Sequence, residues 1–137
     1  MTRAIDIHKA GGIIIRERKA LLGRSIGKSL FINPGGKLKA GETSKQALIR
    51  ELMEEFKIKV DERDLEDFGT FYAPAAGQEH KWLQMDLYLV KRWEGELTPD
   101  HEIEEMRWVT SELAGVETGS IFEHEVIPRL KAQDLID

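Results

Sequence analysis

The chain has 137 residues, of which 41% are hydrophobic and 33% charged. This composition supports one buried core, so we expect a single domain spanning residues 1–137 rather than a disordered chain. Cysteine is absent, which excludes disulfides, cysteine-ligated zinc, iron–sulfur clusters and thiol catalysis. The net charge of −5 argues against binding to duplex nucleic acid, although a small phosphorylated ligand is compatible where a divalent cation reverses the local charge. No apolar run approaches the roughly 20 residues of a membrane span and no signal-peptide core follows Met1, which favours a cytoplasmic protein without membrane contacts.

The first third of the chain predicts strands that end at a glycine-rich break. Apolar runs rich in β-branched residues at 10–16 and 20–24 predict a hairpin around a polar turn. A short strand is expected at 30–33, and Pro34-Gly35-Gly36 interrupts it. Apolar residues at helical spacing then predict a helix from Thr43 to Phe56.

The remainder of the chain predicts three more strands and a final helix. The strands are expected at 68–73, 82–90 and 106–109, with loops at 74–80 and 94–104. A C-terminal helix is expected within 121–135, with Pro128 in its first turn or at a kink. Strands combined with two helices predict a layered α/β or α+β domain, and the order of the elements alone leaves its topology open.

Three carboxylates share one narrow face of the helix predicted from Thr43 to Phe56. On a helical wheel Glu54 and Glu55 lie about 60° and 40° to either side of Glu51. Such like-charge pairs cost about 0.2–0.5 kcal/mol each, and Arg50 can relieve only part of the repulsion. A hard cation such as Mg²⁺ or Mn²⁺ would relieve the rest. A solvated acidic face is the alternative, but the preceding glycine-rich loop, where backbone can approach a ligand closely, favours a metal site.

The segment from Gly36 to Ile58, GKLKAGETSKQALIRELMEEFKI, resembles the Nudix box, G-x5-E-x7-R-E-U-x-E-E-x-G-U, in which U is a bulky aliphatic residue. The matching residues are Gly36, Glu42, Arg50, Glu51, Leu52, Glu54, Glu55 and Ile58. Lys57 stands where the family has glycine, and it would cost about 1–2 kcal/mol if the left-handed backbone of that glycine were kept. The resemblance implies an α/β/α sandwich, with a mixed sheet between the box helix and a C-terminal helix.

The same resemblance implies metal-dependent hydrolysis of a nucleoside diphosphate linked to a further group. Carried over residue by residue, it makes Arg50, Glu51, Glu54 and Glu55 the catalytic residues. Glu51, Glu54, Glu55 and the carbonyl of Gly35 would hold Mg²⁺ or Mn²⁺, and Arg50 would orient a box glutamate. Family members differ in which carboxylate is the base, so that assignment stays open between them.

Relatives often add a glutamate from a later loop to the metal site. Glu105 is the first choice here, because Glu-Met-Arg before an aromatic residue is similar to MutT-type relatives. Glu102 is the second choice, and Glu104 lies in the same acidic stretch. For any one of these residues, a solvated acidic loop is an equally good interpretation.

Two segments outside the box resemble MutT-type nucleoside triphosphate pyrophosphohydrolases, namely NPGGK at 33–37 and VKRWEGE at 90–96. They imply a nucleoside triphosphate, normal or oxidised, as the small-molecule substrate. The protein is expected to be a monomer or a homodimer. Arg24 and Lys37 are candidates to contact phosphate, and Asn33 is a candidate for the nucleoside pocket. Pro74 is a weak marker of relatives that cleave ADP-ribose. ADP-ribose or a dinucleoside polyphosphate is therefore the main alternative substrate. A catalytically silent nucleotide-binding module is less favoured, because the box carboxylates are all present.

Overall fold

The computed structural model describes residues 3–137, and two four-stranded sheets form its centre. The strands are β1 (Ile7–Ile13), β2 (Ile15–Arg16), β3 (Lys19–Ser25), β4 (Phe31–Ile32), β5 (Gly35–Lys37), β6 (Leu65–Ala75), β7 (Gln78–Val90) and β8 (Ile103–Val109). The α-helices are α1 (Ser44–Phe56) and α2 (Ile127–Ala132). Within the described range, neither helix is long and apolar enough to cross a bilayer.

The first sheet is mixed and has the order β5-β1-β7-β6. Its two central strands, β1 and β7, run parallel, whereas β5 and β6 pair antiparallel at its edges. In the second sheet β3 pairs antiparallel with β2, β4 and β8. The expectation of a mixed sheet is therefore confirmed, and β1 is the strand that leads from one sheet into the other.

The predicted hairpin of 10–16 with 20–24 is wrong in its first strand. Only Ile15-Arg16 pair with β3, around a turn in which Glu17 and Arg18 have φ of 52° and 62°. The preceding residues form β1 and belong to the first sheet. The physical reason is burial on both faces, since Ile13 and Ile14 are completely buried in different parts of the core.

The loop predicted at 74–80 is also wrong, because β6 and β7 continue almost to their turn. Only Ala76 and Gly77 separate the two strands, and Gly77 has a φ of 76°. Pro74 lies inside β6, paired with Trp82 next to a register shift. Proline is tolerated there because β6 is an edge strand and the shift interrupts the ladder. Strand β8 likewise begins at Ile103, within the predicted acidic loop.

Both helices lie where the sequence predicts them. Thr43 caps α1 and forms a capping box with Gln46, and the helix ends at Phe56. Lys57 follows with φ 57° and ψ 31°, so lysine adopts the left-handed conformation that glycine would favour. The C-terminal helix opens with a π-helical turn at Phe122–Val126 and continues as α2 with Pro128 in its first turn.

The core has two layers, one on each side of the first sheet. Helix α1 contributes Leu48, Leu52 and Phe56 to one layer. The C-terminal helix contributes Phe122, Val126, Ile127 and Leu130 to the other. Alternation along β3 serves both layers, because Leu21 faces α1 and Leu22 faces the C-terminal helix. This arrangement confirms the expected α/β/α sandwich.

Candidate metal and nucleotide site

Two glycines allow β5 to approach its neighbours unusually closely. Gly35 has a φ of 141°, and a Cβ atom there would lie 2.1 Å from the carbonyl oxygen of Ala10. A Cβ atom on Gly36 would lie 2.7 Å from both Cδ and Oε1 of Glu51. Glycine is therefore required at Gly35 by the backbone of β1, whereas a side chain at Gly36 would displace the carboxylate of Glu51.

Glu55 is a buried carboxylate on α1, with only 6% of the residue exposed. The backbone N–H of Gly35 donates a hydrogen bond to its Oε1 at 3.1 Å. Burial, followed by the charges of Glu51, Glu102 and Glu54, nevertheless raises the pKa of Glu55 to about 8. Three further carboxylates therefore lie near enough for their charges to act on this poorly solvated group.

Arg50 connects the surrounding carboxylates through its whole guanidinium group. Its Nε and Nη2 donate to Glu42 at 2.8 and 2.9 Å, which lowers the pKa of Glu42 to about 2. Its Nη1 donates to Glu51 at 2.8 Å and more weakly to Glu54 at 3.4 Å, and Nη2 also donates to the carbonyl of Lys37 at 3.1 Å. Because every arm contacts protein, Arg50 fixes the orientation of glutamates rather than facing open space.

The chemistry of this donor set fits a hard divalent cation. Carboxylates suit Mg²⁺ or Mn²⁺, and a cation would favour the charged form of Glu55, whose pKa is raised first by burial and then by the neighbouring carboxylates. Over residues 3–137, however, no three acidic, histidine or cysteine side chains are already arranged around one point as metal ligands. The reason lies in their contacts, since Arg50 holds Glu51 and Glu54 while Gly35 holds Glu55. Binding would therefore require these side chains to exchange partners.

Main-chain hydrogen bonds bring the acidic loop beside the end of α1. The N–H of Asp100 donates to the carbonyl of Glu55 at 2.8 Å, and the N–H of Thr98 donates to the carbonyl of Phe56 at 3.0 Å. Leu97 is buried and anchors the same segment. Glu102 lies two residues after Asp100, and its charge is one of those that raise the pKa of Glu55.

Glu105, the first choice from sequence, lies in a different environment. Its carboxylate accepts from Arg107 Nε at 2.8 Å and from Arg24 Nη2 at 3.2 Å, and these arginines lower its pKa. Glu104 also contacts Arg24 Nη2, at 2.6 Å. The Nη1 of Arg24 also donates to the carbonyl of Lys28, so both terminal nitrogens of its guanidinium group already contact protein. Between the loop glutamates, it is the charge of the second choice, Glu102, that acts on Glu55.

A cleft of about 360 Å³ opens on the side of the first sheet that faces the C-terminal helix. Its lining is largely apolar and includes Ile7, Ile32, Ala73, Ala75, Leu83, Met85 and Phe122. Asn33 and Lys37, two of the predicted substrate contacts, line this cleft, whereas Arg24 does not. The cleft can therefore hold a flat apolar group and offers polar contacts at its edge.

Two polar residues of the cleft were missed in the sequence. Among residues 3–137, the hydroxyl of Thr118 is the buried side-chain polar atom without a hydrogen-bond partner, and it belongs to the cleft lining. Lys9 lies in β1 and also lines the cleft, where burial and then the charge of Lys37 lower its pKa. In the sequence, Lys9 could have been noticed because it lies beside an otherwise apolar run. No feature of the sequence around Thr118 indicated a role in a binding site.

The fold and the site together define an α/β/α domain with an acidic site along its first helix and a basic cleft beside it. The NUDIX domain family matches residues 6–130, and the chain belongs to this family as a MutT-type member. An 8-oxo-dGTP diphosphatase from Haemophilus influenzae is 38% identical over 96 residues, which cover 66% of each chain. The chain spans about half to two thirds of the length of such curated relatives, between 45% and 66%.

Solved structures that match nearly the whole chain include the following two. The Escherichia coli ORF135 protein has a TM-score of 0.74 at 26% identity, covering 96% of this chain and 94% of its own. A MutT structure, from work on Aliivibrio salmonicida and Vibrio cholerae, has a TM-score of 0.70 at 27% identity, covering 93% and 98%. The sandwich fold described above is therefore the fold of these relatives.

Proposed function

We propose that this Nudix hydrolase is a divalent-metal-dependent pyrophosphohydrolase that cleaves a nucleoside triphosphate, normal or oxidised, to a monophosphate and pyrophosphate. The observation that carries the proposal is the buried carboxylate of Glu55, which the charges of Glu51, Glu54 and Glu102 surround next to Gly35. Relatives named 8-oxo-dGTP diphosphatase support the substrate class.

In this proposal Glu51, Glu55 and Glu102, with the carbonyl of Gly35, hold Mg²⁺ or Mn²⁺, and Glu54 stays free of the cation. Glu102 replaces Glu105 in the set, because Arg24 and Arg107 already neutralise Glu105. The bound cation would neutralise phosphate charge and acidify a water molecule. Because its pKa of about 8 leaves Glu55 mostly protonated at pH 7, a cation that binds it would displace that proton.

We assign Glu54 as the base that takes a proton from the attacking water. Its side chain is 36% exposed, compared with 15% for Glu51, and its contact with Arg50 is the longer of the two. A carboxylate oxygen that is accessible and weakly held can meet a water molecule, whereas Glu51 is fixed. Arg50 is a positioning residue in this scheme, because it holds Glu51 and reaches Glu54 without facing the cleft.

In this proposal the nucleoside binds in the cleft, and the phosphates extend towards the carboxylates of α1. Asn33 and the unpartnered hydroxyl of Thr118 offer hydrogen bonds at the edge of an apolar floor. Lys37 connects the two regions, since its side chain lines the cleft and its carbonyl accepts from Arg50. Arg24 lies on β3 and would act indirectly, by holding Glu104 of the neighbouring strand β8.

The test is a product-resolved hydrolysis screen with Mg²⁺ and with Mn²⁺. The panel holds normal nucleoside triphosphates, 8-oxo-dGTP, ADP-ribose and diadenosine polyphosphates. Glu54→Gln is the blank, and Glu66→Gln, which changes an exposed glutamate on β6, is the matched control. Release of pyrophosphate by the wild type and the control, but not by the blank, supports the proposal. Cleavage of ADP-ribose alone would contradict the triphosphate assignment, and binding without any product would indicate a silent nucleotide-binding module.

A further inference from the structure

Two lysines lie side by side on the floor of the cleft. Lys9 of β1 and Lys37 of β5 are direct partners in the antiparallel register, and both residues line the cleft. Residues directly opposite each other in an antiparallel pair have Cβ atoms about 4.5–5.5 Å apart. The two side chains therefore leave the sheet next to each other on the same face, Lys9 partly buried and Lys37 exposed.

This arrangement is unfavourable without a ligand. Like charges directly opposite on neighbouring strands are destabilising, and burial adds a desolvation cost at Lys9. Within residues 3–137, neither ammonium forms an ion pair with a carboxylate. The cleft lining contains a third lysine, Lys28, and no aspartate or glutamate, although the chain carries a net charge of −5.

We propose that Lys9 is a substrate-binding residue that, together with Lys37, holds the phosphate group nearest the nucleoside. A shared dianion would neutralise both ammonium groups at once, whereas a carbonyl group of a nucleobase would neutralise neither. Lys9 also lies close enough to the acidic site to feel the charges of Glu55 and Glu51. It therefore sits between the apolar part of the cleft and the carboxylates, where the first phosphate of a nucleotide would pass.

The identity of the nucleotide rests on the proposed function, but phosphate binding by the lysine pair does not require hydrolysis. The product of the proposed reaction, a nucleoside monophosphate, carries the phosphate in question and needs no divalent cation to meet two ammonium groups. Its affinity in the presence of a chelator therefore reports on Lys9 directly. The corresponding nucleoside, which lacks the phosphate, reports on the rest of the cleft.

The experiment measures binding of a nucleoside monophosphate and of its nucleoside by calorimetry in EDTA. The proteins are the wild type, Lys9→Met, Lys37→Met and the control Lys59→Met, which removes a charge from an exposed position outside the cleft lining. We expect Lys9→Met to lower the affinity for the monophosphate about tenfold or more, which corresponds to the loss of one charge-assisted hydrogen bond. The affinity for the nucleoside should stay unchanged. The control should bind both ligands like the wild type. Thermal melting of the unliganded proteins supplies a second readout.

Lys9→Met should melt at a higher temperature than the wild type, because it removes a desolvated charge and a like-charge pair without shortening the side chain. Weaker monophosphate binding combined with a higher melting temperature supports the inference. Equal weakening of nucleoside and monophosphate, no weakening of either, a lower melting temperature, or failure of the wild type to bind the monophosphate would each overturn it. Failure of the hydrolysis screen with intact monophosphate binding would instead refute the proposed function and leave this inference standing.

Discussion

Gly36→Ala isolates the position of one carboxylate from the stability of the fold. Gly36 does not need a left-handed backbone, so alanine is compatible with its conformation. The added methyl group would meet Cδ and Oε1 of Glu51 at 2.7 Å, whereas ordinary contact begins near 3.4 Å. The carboxylate must therefore retreat by about 0.7 Å, away from the position in which Arg50 holds it at 2.8 Å.

The magnitude follows from what has to move. A glutamate carboxylate is the far end of a flexible side chain, so the free energy of unfolding should fall by about 1 kcal/mol or less. Turnover should fall about 100-fold, because a misplacement near 1 Å in a reacting constellation has that cost. The measurements are steady-state hydrolysis of the best substrate from the screen and urea unfolding of the same preparation.

The adjacent substitution Gly35→Ala provides the contrast. Its methyl group would lie 2.1 Å from the carbonyl oxygen of Ala10, and a backbone atom in the sheet cannot retreat as a side chain does. Gly35→Ala should therefore lose about 4 kcal/mol or more of stability, or fail to fold. A well-folded Gly36→Ala variant with turnover within threefold of the wild type would refute the reasoning that Gly36 sets a catalytically important position of Glu51.

Three further results are expected. Glu54→Gln should lower turnover by about 10²-fold to 10⁴-fold with an unchanged melting temperature, and turnover near the wild-type value would exclude Glu54 as the base. Lys57→Gly should raise the free energy of unfolding, measured by urea titration, by about 1 kcal/mol, because glycine relieves the left-handed strain. The ion pair with Asp100 that this change removes is exposed and 3.7 Å long, so its loss costs little. Equal stabilisation by Lys57→Ala would contradict this explanation. The pKa of Glu42, about 2 when folded against 4.5 normally, makes its pairing with Arg50 stabilising above pH 4.5 and progressively lost as the pH falls towards 2. Glu42→Gln should accordingly be less stable at pH 7 and show a shallower loss of stability in that acid range, and parallel pH profiles would refute the assignment.

Local patterns predicted the helical part of the fold well. The spacing of apolar residues and the cap at Thr43 fix the bounds of α1, because both are properties of neighbouring residues. The division of the run at Ile14 between two sheets could not be predicted, since parallel pairing with β7 is a long-range choice. The strand character of Pro74 was missed for the same reason, because only the sheet order reveals that β6 lies at an edge.

The candidate site shows the same limit. The box residues of α1 were found because their spacing on one helix is visible in the sequence, and in the structure Arg50 pairs with Glu42. The choice between Glu102 and Glu105 depended on which residue of β8 lies opposite Arg24, which is a matter of register. Lys9 became visible only once β1 and β5 were paired, because an isolated lysine beside an apolar run carries no sign of its partner.

The attachment of the acidic loop to α1 through main-chain atoms has a consequence for how this molecule can vary. Substitutions at Thr98 or Asp100 keep the N–H groups that donate to Phe56 and Glu55, so side chains in the loop are free to change. Insertion or deletion of a single residue before Glu102 would instead shift that carboxylate by one step along the chain, about 3.5 Å, and rotate it away from Glu55. The loop is therefore tolerant in sequence and strict in length, and natural variation should preserve its residue count rather than its composition.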